Sequence, residues 1–242
     1  ALLALFFRLD ALAGDGRLLP RGTVDPRGRI GSGMLMLLLF SAGTIAISIY
    51  GPLMMIALHG VSALTAGYVI AASSIGWSAT AFLVAGSPER RDPAMILGGM
   101  TLVALGVAGY VVAVPDGPIW LIVACAAFEG GGFGIAWTFV LRRLTALAPA
   151  GDTERIASAL PTLQRLGYAA GAALMGLVAN AAGVGEAMSR DTAHHAAVWV
   201  FAAGVPLALA GLIAAAAFVR AGRPRRRAGR EPPALDKAEA AR

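Results

Sequence analysis

Two ionised side chains, Glu129 and Arg165, lie far inside long apolar runs, and each is the only Asp, Glu, Lys or Arg of its run. Placing such a charge in hydrocarbon costs at least about 2.5 to 3.5 kcal/mol on insertion scales, so each needs a counter-group, a hydrated cavity or a task. A carboxyl in that setting can take up and release a proton, and a guanidinium can fix its charge or hold an anion. Counted from the outer end of its run near Gly117, Glu129 is 12 residues in, about 18 Å at the helical rise. Arg165 is 10 residues from the inner end near Arg155, about 15 Å. In antiparallel neighbours these depths differ by only a few Å, so the spacing predicts that the two side chains meet. They would form either a proton- or substrate-responsive site or an ion pair that locks two spans together. Gln164 precedes Arg165, points about 100° away on a helix, and is expected to line a different surface.

Glycine and proline mark the same regions. Gly130, Gly131, Gly132 and Gly134 directly follow Glu129 and make poor helix by propensity, while Tyr50, Gly51 and Pro52 interrupt the first long apolar run. Interrupted segments at corresponding positions of two three-helix repeats are what a transporter binding site looks like in sequence. The structural alternative is that glycine permits close packing and proline only kinks. Gly167 and Gly171 form a small-xxx-small pair suited to a close helix approach. Pro161 and Pro206 are expected kinks. His194 and His195 open the last run, where a solvated helix end is the plain reading and pH sensing the alternative.

The elements that must hold these residues are membrane helices. The chain has 242 residues, 57% hydrophobic and 14% charged, with mean hydropathy +0.71, whereas soluble domains carry about 25% charged residues. A membrane helix needs about 20 mostly apolar residues, and six runs qualify: 32–58, 61–88, 93–115, 117–141, 156–185 and 195–219. Strand alternation is absent, and continuous apolar segments in lipid must be helices that satisfy their own backbone. All basic residues except Arg165 and Arg190, of 20 in total, fall on one side of this arrangement. They lie in the segments before the first run, around Arg90 and Arg91, around Arg142, Arg143 and Arg155, and after residue 219. Arginine-rich short loops mark the cytoplasmic side, so both termini are expected in the cytoplasm of a bacterial inner-membrane protein. The expected division is 1–31 as the end of a preceding helix and a linker, 32–219 as a six-helix domain arranged as a 3+3 inverted repeat, and 220–242 as a basic tail, which is expected to be disordered or to bind anionic lipid.

Several function classes fall away. Cys125 is the single cysteine, so neither a disulfide framework nor a cysteine metal site can form within the chain. No Gly-x-Ser-x-Gly or His-Glu-x-x-His string occurs, which argues against an intramembrane hydrolase. The sequence pI of about 10.4 arises from helix flanks and not from a basic folded face, so nucleic acid is not an expected partner, and no cofactor is called for. A self-contained six-helix protein that dimerises as a channel or scaffold is the competing architecture.

Five strings together carry a family resemblance across roughly residues 18–220. They are Leu19-Pro20-Arg21 before the first run, Tyr50-Gly51-Pro52-Leu53, Ala66-Gly67-Tyr68, the glycine stretch 130–134, and residues 160–167 around Gln164 and Arg165. With the span count and topology, the chain resembles the C-terminal six-helix half of the major facilitator superfamily, nearest its drug:proton antiporter groups. The loop with Gly86, Glu89, Arg90 and Arg91 looks like a degenerate copy of the family's Gly-x-x-x-Asp-Arg motif, with Glu for Asp and one residue fewer after the glycine. The resemblance implies alternating access by two six-helix halves, a cavity lined by the first and fourth spans, a cytoplasmic gate at that loop, and an N-terminal half of the same protein as partner. It also implies efflux of small hydrophobic or cationic compounds coupled to protons, with Glu129, Arg165, Gln164, Tyr50, Gly51, Pro52, Gly130, Gly131 and Gly134 near the substrate and proton path.

Overall fold

The computed structural model describes residues 2–14, 19–20, 22–23, 25–148, 153–185 and 189–221. Arg17, Arg21 and the tail from 222 to 242 lie outside the described residues. The described chain is helical without strands: α1 Leu2–Leu12, α2 Arg29–His59, α3 Ala63–Val84, α4 Asp92–Ala113, α5 Ile119–Leu147, α6 Thr153–Ala181 and α7 Arg190–Ala221, with a 3-10 turn at Glu89–Arg91. Local chemistry sets the breaks. Gly60 ends α2 with φ 64° and its N–H on the Ile56 carbonyl, a left-handed cap that glycine adopts without steric cost. Two residues later the Ser62 side chain accepts from the Thr65 N–H at 3.1 Å and opens α3.

α2, α3, α4, α5 and α7 are each long and apolar enough to cross a membrane, which makes the chain a multi-pass membrane protein. α6, the fifth of the six expected spans, has the length at 29 residues but carries Glu154, Arg155, Gln164 and Arg165 and falls short in apolarity. The expected interruptions are absent. α2 runs unbroken through Tyr50, Gly51 and Pro52, and α5 through its glycine stretch.

Those glycines are helix contacts. A Cβ on Gly130 would collide with the Ser73 carbonyl, on Gly134 with Trp77 and Thr80, and on Gly132 with the Gly99 carbonyl. One side of α5 thereby sits directly on α3 and another on α4, and Thr80 Oγ1 donates to the Gly131 carbonyl at 2.8 Å. Gly167 and Gly171 bring α6 onto Leu38, Ser41 and Ala42 of α2 in the same way, the close approach that small residues allow between membrane helices. Gly51 is buried with Ile47 and Ile70 at its α-carbon.

The main packing partners follow a simple rule. α5 lies against α3 and α4, α2 lies against α6 and α7, and α4 meets α7 between them. Buried side chains gather in two clusters, one toward the basic end with Met34, Phe40, Met100, Phe139 and Phe218, the other toward the opposite end with Met54, Tyr110, Ile122 and Phe201. α3 buries only Ala66 and Val69 and exposes Leu64, Tyr68, Ile75 and Phe82, a surface fit for lipid or for other helices. Trp120 and Trp199 are exposed near the helix ends opposite the basic one, where an aromatic belt would sit, while Trp77 stacks on Phe133 and packs against Trp137 deeper in the bundle.

Candidate functional site

Glu129 is held on three sides. Its own helix supplies Ala126 and Cys125, α4 presses Gly106 against its backbone, and the Tyr110 hydroxyl on α4 donates to Oε2 at 2.8 Å. Tyr110 is buried and rests on Phe201 of α7 at 5.8 Å between ring centroids. The fourth side opens into a cavity of about 110 Å³ lined by Ile47, Ser48, Ile70, Ser73, Ser74 and Tyr110. That volume, with hydroxyls in its wall, is enough for a few waters. Ser48 and Ser74 are exposed at its rim, whereas Glu129 is 8% exposed at its floor. The arrangement is a carboxyl with one fixed hydrogen bond behind it and a small polar cleft in front, able to exchange a proton with water or to meet a cation at the rim.

Arg165 is not its partner. The guanidinium is on an exposed face of α6 and makes neither an ion pair nor a hydrogen bond with any described residue. The sequence places the two groups at similar depth, but α5 turns Glu129 toward α4, and the main packing of α6 is on α2. Gln164 does look elsewhere from Arg165: its Nε2 donates to the Tyr168 hydroxyl at 3.2 Å. Tyr50 is half-buried with its hydroxyl beside Gly176 of α6, and Gly51 backs Ile47 and Ile70 of the cavity wall. Pro52 lies one residue further along the same helix, and Gly130 packs on Ser73 of that wall. Gly131 and Gly134 face Thr80 and Trp77, up to about a turn further along α5.

The loop between α3 and α4 is tied down by residues other than those expected. Gly86 supplies a turn with φ 80°, but Glu89, Arg90 and Arg91 form an exposed 3-10 turn. The buried acid is Asp92, at the start of α4, paired with Arg142 of α5, whose guanidinium also donates to the Ser87 carbonyl at 3.3 Å. The next residue, Arg143, donates to the Val219 carbonyl of α7 at 2.8 Å and covers the Phe218 ring. At the other end His59 bonds the Val114 carbonyl and His194 meets Asp116, each at 2.8 Å, so His194 has a definite structural partner. Sequence reasoning missed Tyr110, Asp92 and Arg142. An acid at the first helical position and an arginine at the basic end of a span were signals for the second pair; nothing in the sequence singles out Tyr110.

A bundle of apolar, glycine-packed helices with one acid at the floor of a polar cleft is the architecture of a multi-pass membrane protein. Two proteins named probable multidrug-efflux transporter, from two strains of Mycobacterium tuberculosis, are 31% identical to the chain over 162 residues, 64% of this chain and 34% of each relative. The chain spans about a third of the length of the curated relatives it matches. No protein-family model and no solved structure matches it.

Proposed function

We propose that the chain is the C-terminal six-helix half of a major-facilitator-type secondary transporter that exports small hydrophobic or cationic compounds in exchange for protons by alternating access. The observation that carries the reading is Glu129: a carboxyl deep in an apolar helix, backed by Tyr110 and facing a serine-lined cleft between α2 and α3. Protonation of such a group removes a buried charge, so its two states favour different surroundings. α2 and α5 both wall the cleft region, as the first members of two repeats would.

The packing rule supports the 3+3 repeat. Exchanging α2, α3 and α4 with α5, α6 and α7 turns the α5 contacts with α3 and α4 into the α2 contacts with α6 and α7. Gly99 and Gly106 on α4 have counterparts at the same spacing in Gly204 and Gly211 on α7, and both pairs receive a neighbouring helix closely. In this reading α6 is the fifth of six spans, both ends of the chain are on the cytoplasmic side of a bacterial inner membrane, 32–219 is the transmembrane domain, and the Asp92–Arg142 tie belongs to the cytoplasmic gate. The names of the relatives support the choice of efflux.

The test is proton-driven efflux of a fluorescent cationic dye from vesicles containing the full-length protein, with Glu129 intact and as Glu129→Gln. Coupled efflux should be lost in the variant at equal expression. Efflux that survives the substitution with its proton dependence intact sinks the role of Glu129. An open reading frame that supplies no further membrane helices favours the dimerising six-helix protein instead.

A further inference from the structure

The cleft at Glu129 gathers more oxygen than a proton needs. Oε2 accepts from Tyr110 at 2.8 Å, and Oε1 accepts from none of the described residues. Ser48 of α2 and Ser73 and Ser74 of α3 stand in the same cavity wall, and their hydroxyls bond to no described residue either. Thr44 and Thr80, on the same two helices, behave differently: their hydroxyls donate to the Phe40 and Gly76 carbonyls one turn back, at 2.9 and 2.8 Å. A hydroxyl in an apolar layer that ignores its own backbone costs free energy unless water or a ligand completes it. Three such groups stand beside one carboxylate, with Tyr110 of α4 behind it, so four helices place oxygen around one negative charge.

Charge and size select the occupant. No Arg, Lys or His lines the cavity, and no described basic side chain pairs with Glu129, so the balancing positive charge has to come from solution. A single carboxylate balances one charge, whereas calcium and magnesium sites draw on several acids or on phosphates as well. The volume of about 110 Å³ holds about three or four waters at about 30 Å³ each and falls below the roughly 300 Å³ at which pockets for drug-sized compounds begin. A proton would use one of the oxygens and leave the serines idle, but an alkali cation takes such oxygens in place of its hydration shell. Sodium, the smaller of the two abundant alkali cations, suits a chamber of this size. We infer that the cleft of Glu129, Ser48, Ser73 and Ser74 is a binding site for a sodium ion. The inference rests on the proposed function only in taking Glu129 as the group that meets a cation.

The experiment uses the full-length protein purified in detergent and reads binding, not transport. Radioactive sodium should bind saturably, and sodium chloride should raise the thermal midpoint by about 2 °C or more over choline chloride of equal ionic strength. Potassium chloride should not reproduce the rise. Ser73→Ala and Ser74→Ala each remove one oxygen and should weaken sodium binding about fivefold or more, while Glu129→Gln should abolish it. Ser73 meets Gly130 through its backbone, so the serine change leaves that helix contact in place. Ser78→Ala, at an exposed serine of α3 outside the cleft, should bind as the parent does. Sodium binding by a protein that exports no dye would refute the proposed function and leave the site standing; dye efflux without sodium binding would overturn the site alone. An equal rise in choline or potassium chloride, parental affinity in the Ser73→Ala, Ser74→Ala double variant, or binding that survives Glu129→Gln each overturns the inference.

Discussion

α5 and α6 each carry one charged residue near the middle of a 29-residue helix, and the bundle treats them in opposite ways. α5 is pressed between α3 and α4, with glycines at backbone contact on both sides and Glu129 given a buried tyrosine as donor. α6 rests one glycine face on α2 and leaves Arg165 exposed. Glu129 has a polar partner inside the fold, whereas Arg165 has none among the described residues. Depth alone makes the two residues look like a pair; helix rotation separates their roles.

That contrast can be broken most severely at the glycines. Gly130→Val drives a branched side chain into the Ser73 carbonyl, so it should cost about 3 kcal/mol or more and abolish monodisperse protein in detergent. Gly176→Ala, whose added carbon meets only Tyr50 at an ordinary contact distance of 3.6 Å, should be recovered at parental yield. Equal losses at both positions would mean that α5 and α6 are equally locked.

Next in size is the acid itself. Glu129→Leu leaves the buried Tyr110 hydroxyl without its acceptor and should destabilise the protein by about 1 to 3 kcal/mol, seen as a lower thermal midpoint in detergent. Glu129→Gln retains an amide oxygen for Tyr110 and should melt close to the parent. Tyr110→Phe removes one donor and leaves the carboxyl its cleft, so a loss of about 1 kcal/mol is expected. A Tyr110→Phe protein that melts with the parent would mean that the hydroxyl contact is not maintained.

The loop between α3 and α4 gives the gentlest comparison. Asp92→Asn weakens the tie to Arg142, which is itself one third exposed, and should cost about 1 to 2 kcal/mol. Glu89→Gln, on the exposed turn, should stay within about 0.5 kcal/mol. A reversed order of these two effects would return the loop's anchoring role to Glu89.

Much of the fold is legible before any coordinates. The α2, α4 and α5 segments agree with the expected runs to within a few residues at most ends, because apolar length and capping residues act locally. The small-xxx-small pair at Gly167 and Gly171 meets a helix as its spacing suggests. Gly51-Pro52 and the 130–134 stretch look like breaks in sequence but are continuous helix, since tertiary packing outweighs a propensity cost of about 1 kcal/mol per glycine. The buried ion pair beside this loop was not legible for a related reason: Asp92 and Arg142 are 50 residues apart and meet only when α4 and α5 pack.

The sequence by itself determined that the chain is built largely of membrane helices, roughly where each begins and ends, and that Glu129 stands alone as a charge within its apolar run. Those properties accumulate along the chain, residue by residue, through the free energy of leaving water. Only the tertiary structure decided which side of each helix faces a neighbour. It turned Glu129 to Tyr110 and a serine-lined cleft, and it turned Arg165 away from the bundle. Rotation about a helix axis is fixed by close contacts among glycines and side chains from distant parts of the chain, and no run of hydropathy records it.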